Sequence, residues 1–221
     1  MPVTGGGRVT SRARLVGLSF LMLFVELALI RWTGSNVIYL SYFSNFVLLG
    51  SFLGIGIGFL RSRASRQLFP WAAPSLALFV FFVLAVPVQV DRTGTQLIFF
   101  GGTPTGLPMW LTLPIVFIAV AVIMAMIADG VARTFATFDP LEAYRLDILG
   151  SIIGIAAFSA LSFLGTPPIA WAIVVGISFS ITSFSSRHFA TRSNRSLNSR
   201  EAARRFADTV ARYYSDHLDL G

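Results

Sequence analysis

Glu26, Arg31, Asn45, Tyr144, Arg145 and Asp147 are the side chains that could do chemistry in or beside the apolar runs of this 221-residue chain. An ionisable group at the centre of a bilayer costs at least about 2.5 kcal/mol, so each needs a partner or a task. Glu26 and Arg31 share one run but stand five residues apart, where helical ion pairs favour spacings of three or four. Glu26 therefore reads as a structural acid, paired imperfectly or hydrogen-bonded to a neighbouring helix, or as a ligand or proton site. Asn45 closes a polar stretch with Tyr39, Ser41, Tyr42 and Ser44. Those side chains could line a small cavity with Glu26, or bond between helices.

Asp147 opens another run, where its charge suits the positive end of a helix dipole. On a helix it shares one face with Tyr144, Gly150, Ser151 and Gly154. Structural stabilisation of the helix start is its simplest role. Arg145 beside it could hold an anion or a lipid headgroup, or mark the membrane boundary. Catalytic and metal chemistry find little support. The chain has no cysteine, and both histidines, His188 and His217, lie in the C-terminal tail. No strand precedes a glycine-rich phosphate loop, and no cofactor is expected.

The elements that must position these groups are apolar helices. Hydrophobic residues make up 55% of the chain and charged residues 12%, about half the charged share of a soluble domain. The expected fold is an all-α integral membrane protein with six transmembrane helices at Leu15–Trp32, Val37–Leu60, Trp71–Val90, Met109–Ile127, Leu146–Leu164 and Pro167–Phe184. Residues 1–14 are expected to form a polar arm, 33–36 a tight turn, 91–108 a glycine- and proline-rich connection, and 128–145 a polar connector. The first run follows three arginines but lacks a small-residue cleavage site, so it reads as an uncleaved helix rather than a signal peptide. Trp32, Trp71, Trp110 and Trp171 sit near span ends, as interface anchors do.

All 17 basic residues are arginine, and on this topology only Arg31 and Arg92 fall on the far side. The positive-inside tendency then places both termini in the cytoplasm of a bacterial cell, with the chain in its inner (plasma) membrane. The net charge of +7 is explained by this flanking, and no nucleic-acid partner is expected.

Gly50, Gly54 and Gly58 recur four apart and form one smooth helical stripe, which lets a second helix approach closely in lipid. Leu149-Gly150-Ser151-Ile152-Ile153-Gly154-Ile155 repeats the phrase Leu49-Gly50-Ser51-Phe52-Leu53-Gly54-Ile55 with two changes. The copies fall in the second and fifth spans, which cross in opposite senses. A 3+3 inverted repeat is expected, with these glycines joining the second and fifth spans or joining each to its equivalent neighbour.

The tail, residues 185–221, is polar through Asn198. Residues 199–220 then carry Ala202, Phe206, Val210, Tyr214 and Leu218 at helical spacing. This is an expected amphipathic cytoplasmic helix, suited to anionic lipid or to a protein partner.

Glu26-Leu27-Ala28-Leu29-Ile30-Arg31-Trp32, the glycine ladder and Arg61-Ser62-Arg63 resemble the N-terminal membrane region of bacterial spermidine synthase-like proteins. Tyr144-Arg145-Leu146-Asp147-Ile148-Leu149-Gly150-Ser151 and Pro167-Pro168-Ile169-Ala170-Trp171 resemble the second half of that region. The resemblance covers roughly residues 15–184. It implies a membrane module, whereas the catalytic acids of that family lie in an aminopropyltransferase-like domain that this sequence does not contain. The expected function is a non-catalytic module that anchors or scaffolds a partner in the membrane. The alternative is a small transporter for a polyamine or another cationic metabolite.

Overall fold

The computed structural model describes residues 5–36, 44–85, 89–90, 104–105 and 109–183. The elements in chain order are α1 (Gly5–Asn36), α2 (Ser44–Leu60), α3 (Ala72–Ala85), α4 (Met109–Phe135), α5 (Pro140–Phe163) and α6 (Pro168–Ser183). Arg61–Arg63 and Phe69–Trp71 form short 3-10 turns between α2 and α3. Apart from helix, Gln89 and Val90 pair antiparallel with Thr105 and Pro104. Four described helices are long and apolar enough to cross a membrane, while Phe69–Ala85 and Pro168–Ser183 are shorter apolar helices.

Several expected boundaries move. The polar arm and the tight turn around the first span are both helical, because α1 runs from Gly5 to Asn36. At its end the side chains of Thr33, Ser35 and Asn36 bond back to the carbonyls of Leu29 and Trp32, which occupies groups a helix end would otherwise leave open. The third span, expected to reach Val90, is described as helix to Ala85, and Gln89–Val90 are strand. Pro87 follows in the sequence and cannot donate a helical hydrogen bond. The connector expected over 128–145 shrinks to 136–139, since α4 continues to Phe135 and α5 starts at Pro140. Asp129 and Arg133 stand one turn apart on α4 and pair with each other, so this stretch stays helical.

A turn at 165–167 separates α5 from α6. Gly165 takes a positive φ of 64°, its N–H donates to Ser162, and that of Thr166 donates to Leu161. This pairing closes a helix whose next residue is left-handed, which glycine does at least cost.

α1 and α4 supply most of the core, including Leu15, Leu18, Leu21, Phe24, Val116, Val120, Ile123 and Ile127, all essentially inaccessible. α5 lies along α1. Arg12 meets Glu142, Ser19 meets Asp147, Phe24 meets Phe158 and Arg31 meets Ser162. The positions climb together, so the two helices are parallel. α2 lies along α4 in the same manner, with Gly50 on Phe117, Gly54 on Ala121 and Gly58 on Ala125. Because 136–139 joins the end of α4 to the start of α5, the two parallel pairs run in opposite directions. The outward faces stay apolar: Leu60, Leu78, Phe81, Ile152, Ile169 and Ile181 are all exposed. A surface of that kind suits lipid and would associate in water.

Candidate functional site

The glycines are the closest points of the bundle. A Cβ added to Gly58 would stand 2.6 Å from the Ala125 carbonyl oxygen, and one added to Gly154 would stand 2.6 Å from that of Phe20. Gly54 meets the Ala121 carbonyl and Gly150 the Val16 carbonyl more closely still. Helices approach this far only where no side chain intervenes. The second and fifth spans are not joined through these residues. Each rests on a different neighbour, α2 on α4 and α5 on α1. Gly56, between two members of the ladder, faces open space.

Asp147 accepts a hydrogen bond of 2.5 Å from the hydroxyl of Ser19, which is wholly buried on α1. The bond lies beside the Gly150 contact, where Ser19 Cβ would be 2.9 Å from an added methyl. The expected cluster around Asp147 is only partly assembled. Gly150 and Gly154 turn inward and Ser151 is half-buried, but Tyr144 and Arg145 are exposed. Both face outward although α1 and α5 already meet at this level, where Ala143 is wholly buried and Glu142 pairs with Arg12. Asn45 is exposed as well, and residues 37–43 lie outside the described residues.

Glu26 and Arg31 do not pair. Arg31 donates to the Ser162 hydroxyl on α5 and stacks 5.8 Å from the Trp171 ring centroid. Five residues of helix carry the two side chains to different faces of α1. Glu26 is 5% exposed and has no hydrogen-bond or ion-pair partner among the described residues. It repeats at heptad spacing with Ser19 and Thr33, both buried. The Ser19 hydroxyl is committed to Asp147, and the Thr33 hydroxyl to the Leu29 carbonyl.

Trp171 is buried and packs edge-on against Phe158 at 5.3 Å, while Trp32 packs against Phe79 of α3 at 6.4 Å. Only Trp71 and Trp110 stand out from the surface as anchors would.

Sequence reasoning missed a second polar centre. Asp129 is wholly buried and accepts from the Leu68 N–H at 2.9 Å and from Arg133 Nε at 2.9 Å. Arg133 also donates to the carbonyls of Ala64 and Arg66. The Phe69 ring then seats on Gly130, where an added Cβ would meet it at 2.8 Å. One turn of α4 thus holds the whole 64–69 connection. The i, i+4 spacing of Asp129 and Arg133 was the available signal. Arg12 and Glu142 make a further ion pair at 2.6 Å, half-exposed and so worth little.

Among the described residues no group of three or more His, Cys, Asp or Glu side chains could hold a metal ion. No family model matches the chain, and neither does any curated protein or solved structure.

Proposed function

We propose that the chain is a non-catalytic integral membrane module that anchors or scaffolds a partner, as its resemblance to the membrane region of spermidine synthase-like proteins implies. One observation carries this reading. Buried polar side chains other than Glu26 are spent on structure: Ser19 on Asp147, Asp129 on Arg133 and Leu68, and Thr33, Ser51, Thr134 and Thr182 on carbonyls of their own helices. A bundle that consumes its polar groups in this way has little left with which to transform a substrate. The partner surface is assigned to the amphipathic helix 199–220, which lies outside the described residues.

In this reading six helices cross the bacterial plasma membrane, both termini are cytoplasmic, and the halves form a 3+3 inverted repeat. The contact register supports the repeat. Gly50 and Gly54 rest on residues 117 and 121, and their counterparts Gly150 and Gly154 rest on residues 16 and 20. Each half's second helix therefore packs on the other half's first helix, in the same register.

Purification from native membranes in mild detergent, with and without residues 199–220, tests the anchor. A stoichiometric soluble partner should co-elute with the full chain and be lost with the tail. A partner-free full-length protein would overturn the reading. Single cysteines in this cysteine-free chain test the topology: Thr10→Cys and Thr137→Cys should react from the cytoplasmic side and Ser35→Cys from the other.

Glu26 favours a second reading, a transporter for a polyamine or another cationic metabolite, because an unpartnered buried carboxyl inside a span is costly unless it serves a ligand. Flux into proteoliposomes tests it. Unchanged uptake of spermidine by Glu26→Gln would remove Glu26 from any such path.

A further inference from the structure

Among the described residues Glu26 is a buried acid that makes no hydrogen bond or ion pair, and the other group left without a partner, Arg14 Nε, lies more than three turns away on α1. Glu26 lies seven residues from Ser19 and seven from Thr33, so about 10 Å of helix separates it from each. α1 packs against α5, α4, α2, α3 and α6. On α2, α3 and α6 there is no charged residue. On α4 the charged pair is Asp129 and Arg133, closed on itself. On α5, Asp147 is taken by Ser19, Glu142 by Arg12, and Arg145 is exposed. Arg31, on the same helix, is engaged by Ser162 and Trp171. A carboxylate left there as a bare anion would carry a desolvation cost of several kcal/mol.

Among the described residues nothing neutralises it, and the surroundings select what would. A metal cation of the hard kind requires several oxygen ligands, yet among the described residues no acidic cluster surrounds Glu26. A polyamine carries more than one charge and would need more than one carboxylate, whereas the other two carboxylates of the helix core are already committed. The ligand that a single carboxyl accepts with no further partner is a proton. We propose that Glu26 is a proton-binding site within the first span, occupied by H+ at neutral pH. Within the transport reading it names the coupling ion. It stands equally if nothing is moved, because protonation and flux are measured separately.

Infrared difference spectroscopy on the full chain in lipid vesicles tests the proposal. At neutral pH the wild-type spectrum minus that of Glu26→Gln should contain the carbonyl stretch of an un-ionised carboxylic acid. That band should persist when sodium, potassium or spermidine is added. Glu26→Gln should also keep the wild-type melting temperature, since the amide replaces a neutral acid of nearly the same shape. A difference spectrum showing carboxylate bands instead would overturn the proposal. So would loss of the acid band on adding any of the three cations, which would make Glu26 a cation site. Transport can fail in flux assays while the acid band remains, so the two readings fall separately.

Discussion

Gly58 rests on the backbone of α4 at Ala125, where a methyl group added to it would stand 2.6 Å from the carbonyl oxygen. The same methyl would also lie 2.6 Å from Ala128 Cβ. Backbone cannot step aside as a flexible side chain can. Gly58→Ala and Gly54→Ala should each destabilise the bundle by about 1–3 kcal/mol, the usual cost of overpacking. Gly56→Ala should be neutral or slightly stabilising, because open space surrounds it and alanine favours helix. Unfolding in detergent followed by tryptophan fluorescence would rank the three. Equal effects at positions 54, 56 and 58 would show that the ladder is not a contact.

Asp129→Ala should be among the most damaging single changes. It strands Arg133 and the Leu68 N–H at a wholly buried position, and breaking such a pair costs about 3–5 kcal/mol. The Asp129→Ala, Arg133→Ala double variant should lose less than the sum of the singles. Because Arg133 holds the carbonyls of Ala64 and Arg66, trypsin should cut after Arg61, Arg63 or Arg66 faster in either single variant. Unchanged cleavage would mean that the connection is held by other contacts.

Ser19→Ala removes the hydroxyl that Asp147 accepts from. A loss of about 1 kcal/mol is expected, within the range for a single hydrogen bond and for polar contacts between membrane helices. Asp147→Asn keeps an oxygen acceptor and should lose less. If both variants match the wild type in unfolding, the bond contributes nothing measurable.

The parallel arrangement of α1 and α5 can be read by thiol cross-linking, since the chain has no cysteine of its own. Cysteine pairs at 12 and 142 and at 31 and 162 should join with a short bifunctional reagent. The pair at 12 and 162 should not. Cross-linking of that last pair alone would reverse the orientation of α5.

The sequence made the helices and the glycine contacts legible because both rest on local patterns: long apolar runs and a four-residue repeat of small residues. It did not reveal which helices the glycines meet. That choice depends on facing backbone, such as Val16 and Phe20 opposite Gly150 and Gly154, and backbone leaves no mark on composition. Asp129 and Arg133 were misread for a related reason. In a linear chain they resemble the charged start of a connector, and only the return of residues 64–69 makes them a buried clamp. Proximity in sequence left a Glu26–Arg31 pair open, whereas the partner of Arg31, Ser162, lies 131 residues away. Helical periodicity puts Tyr144 on the face of Asp147, whereas the packing at that level buries Ala143 and leaves Tyr144 exposed.

The pairing of α1 with α5 also governs the order in which the chain can be completed. Ser19 and Asp147 are separated by 128 residues. At synthesis rates of about 5–20 residues per second, α1 must wait on the order of ten seconds for its partner to emerge. During that wait Ser19 and the carbonyls that later receive Gly150 and Gly154 have no counterpart on α5. Neither half of the chain therefore contains its own interface. Residues 1–85 and 109–221, made as two separate chains in one cell, hold complementary sides of both parallel pairs and should assemble into a split version of the bundle.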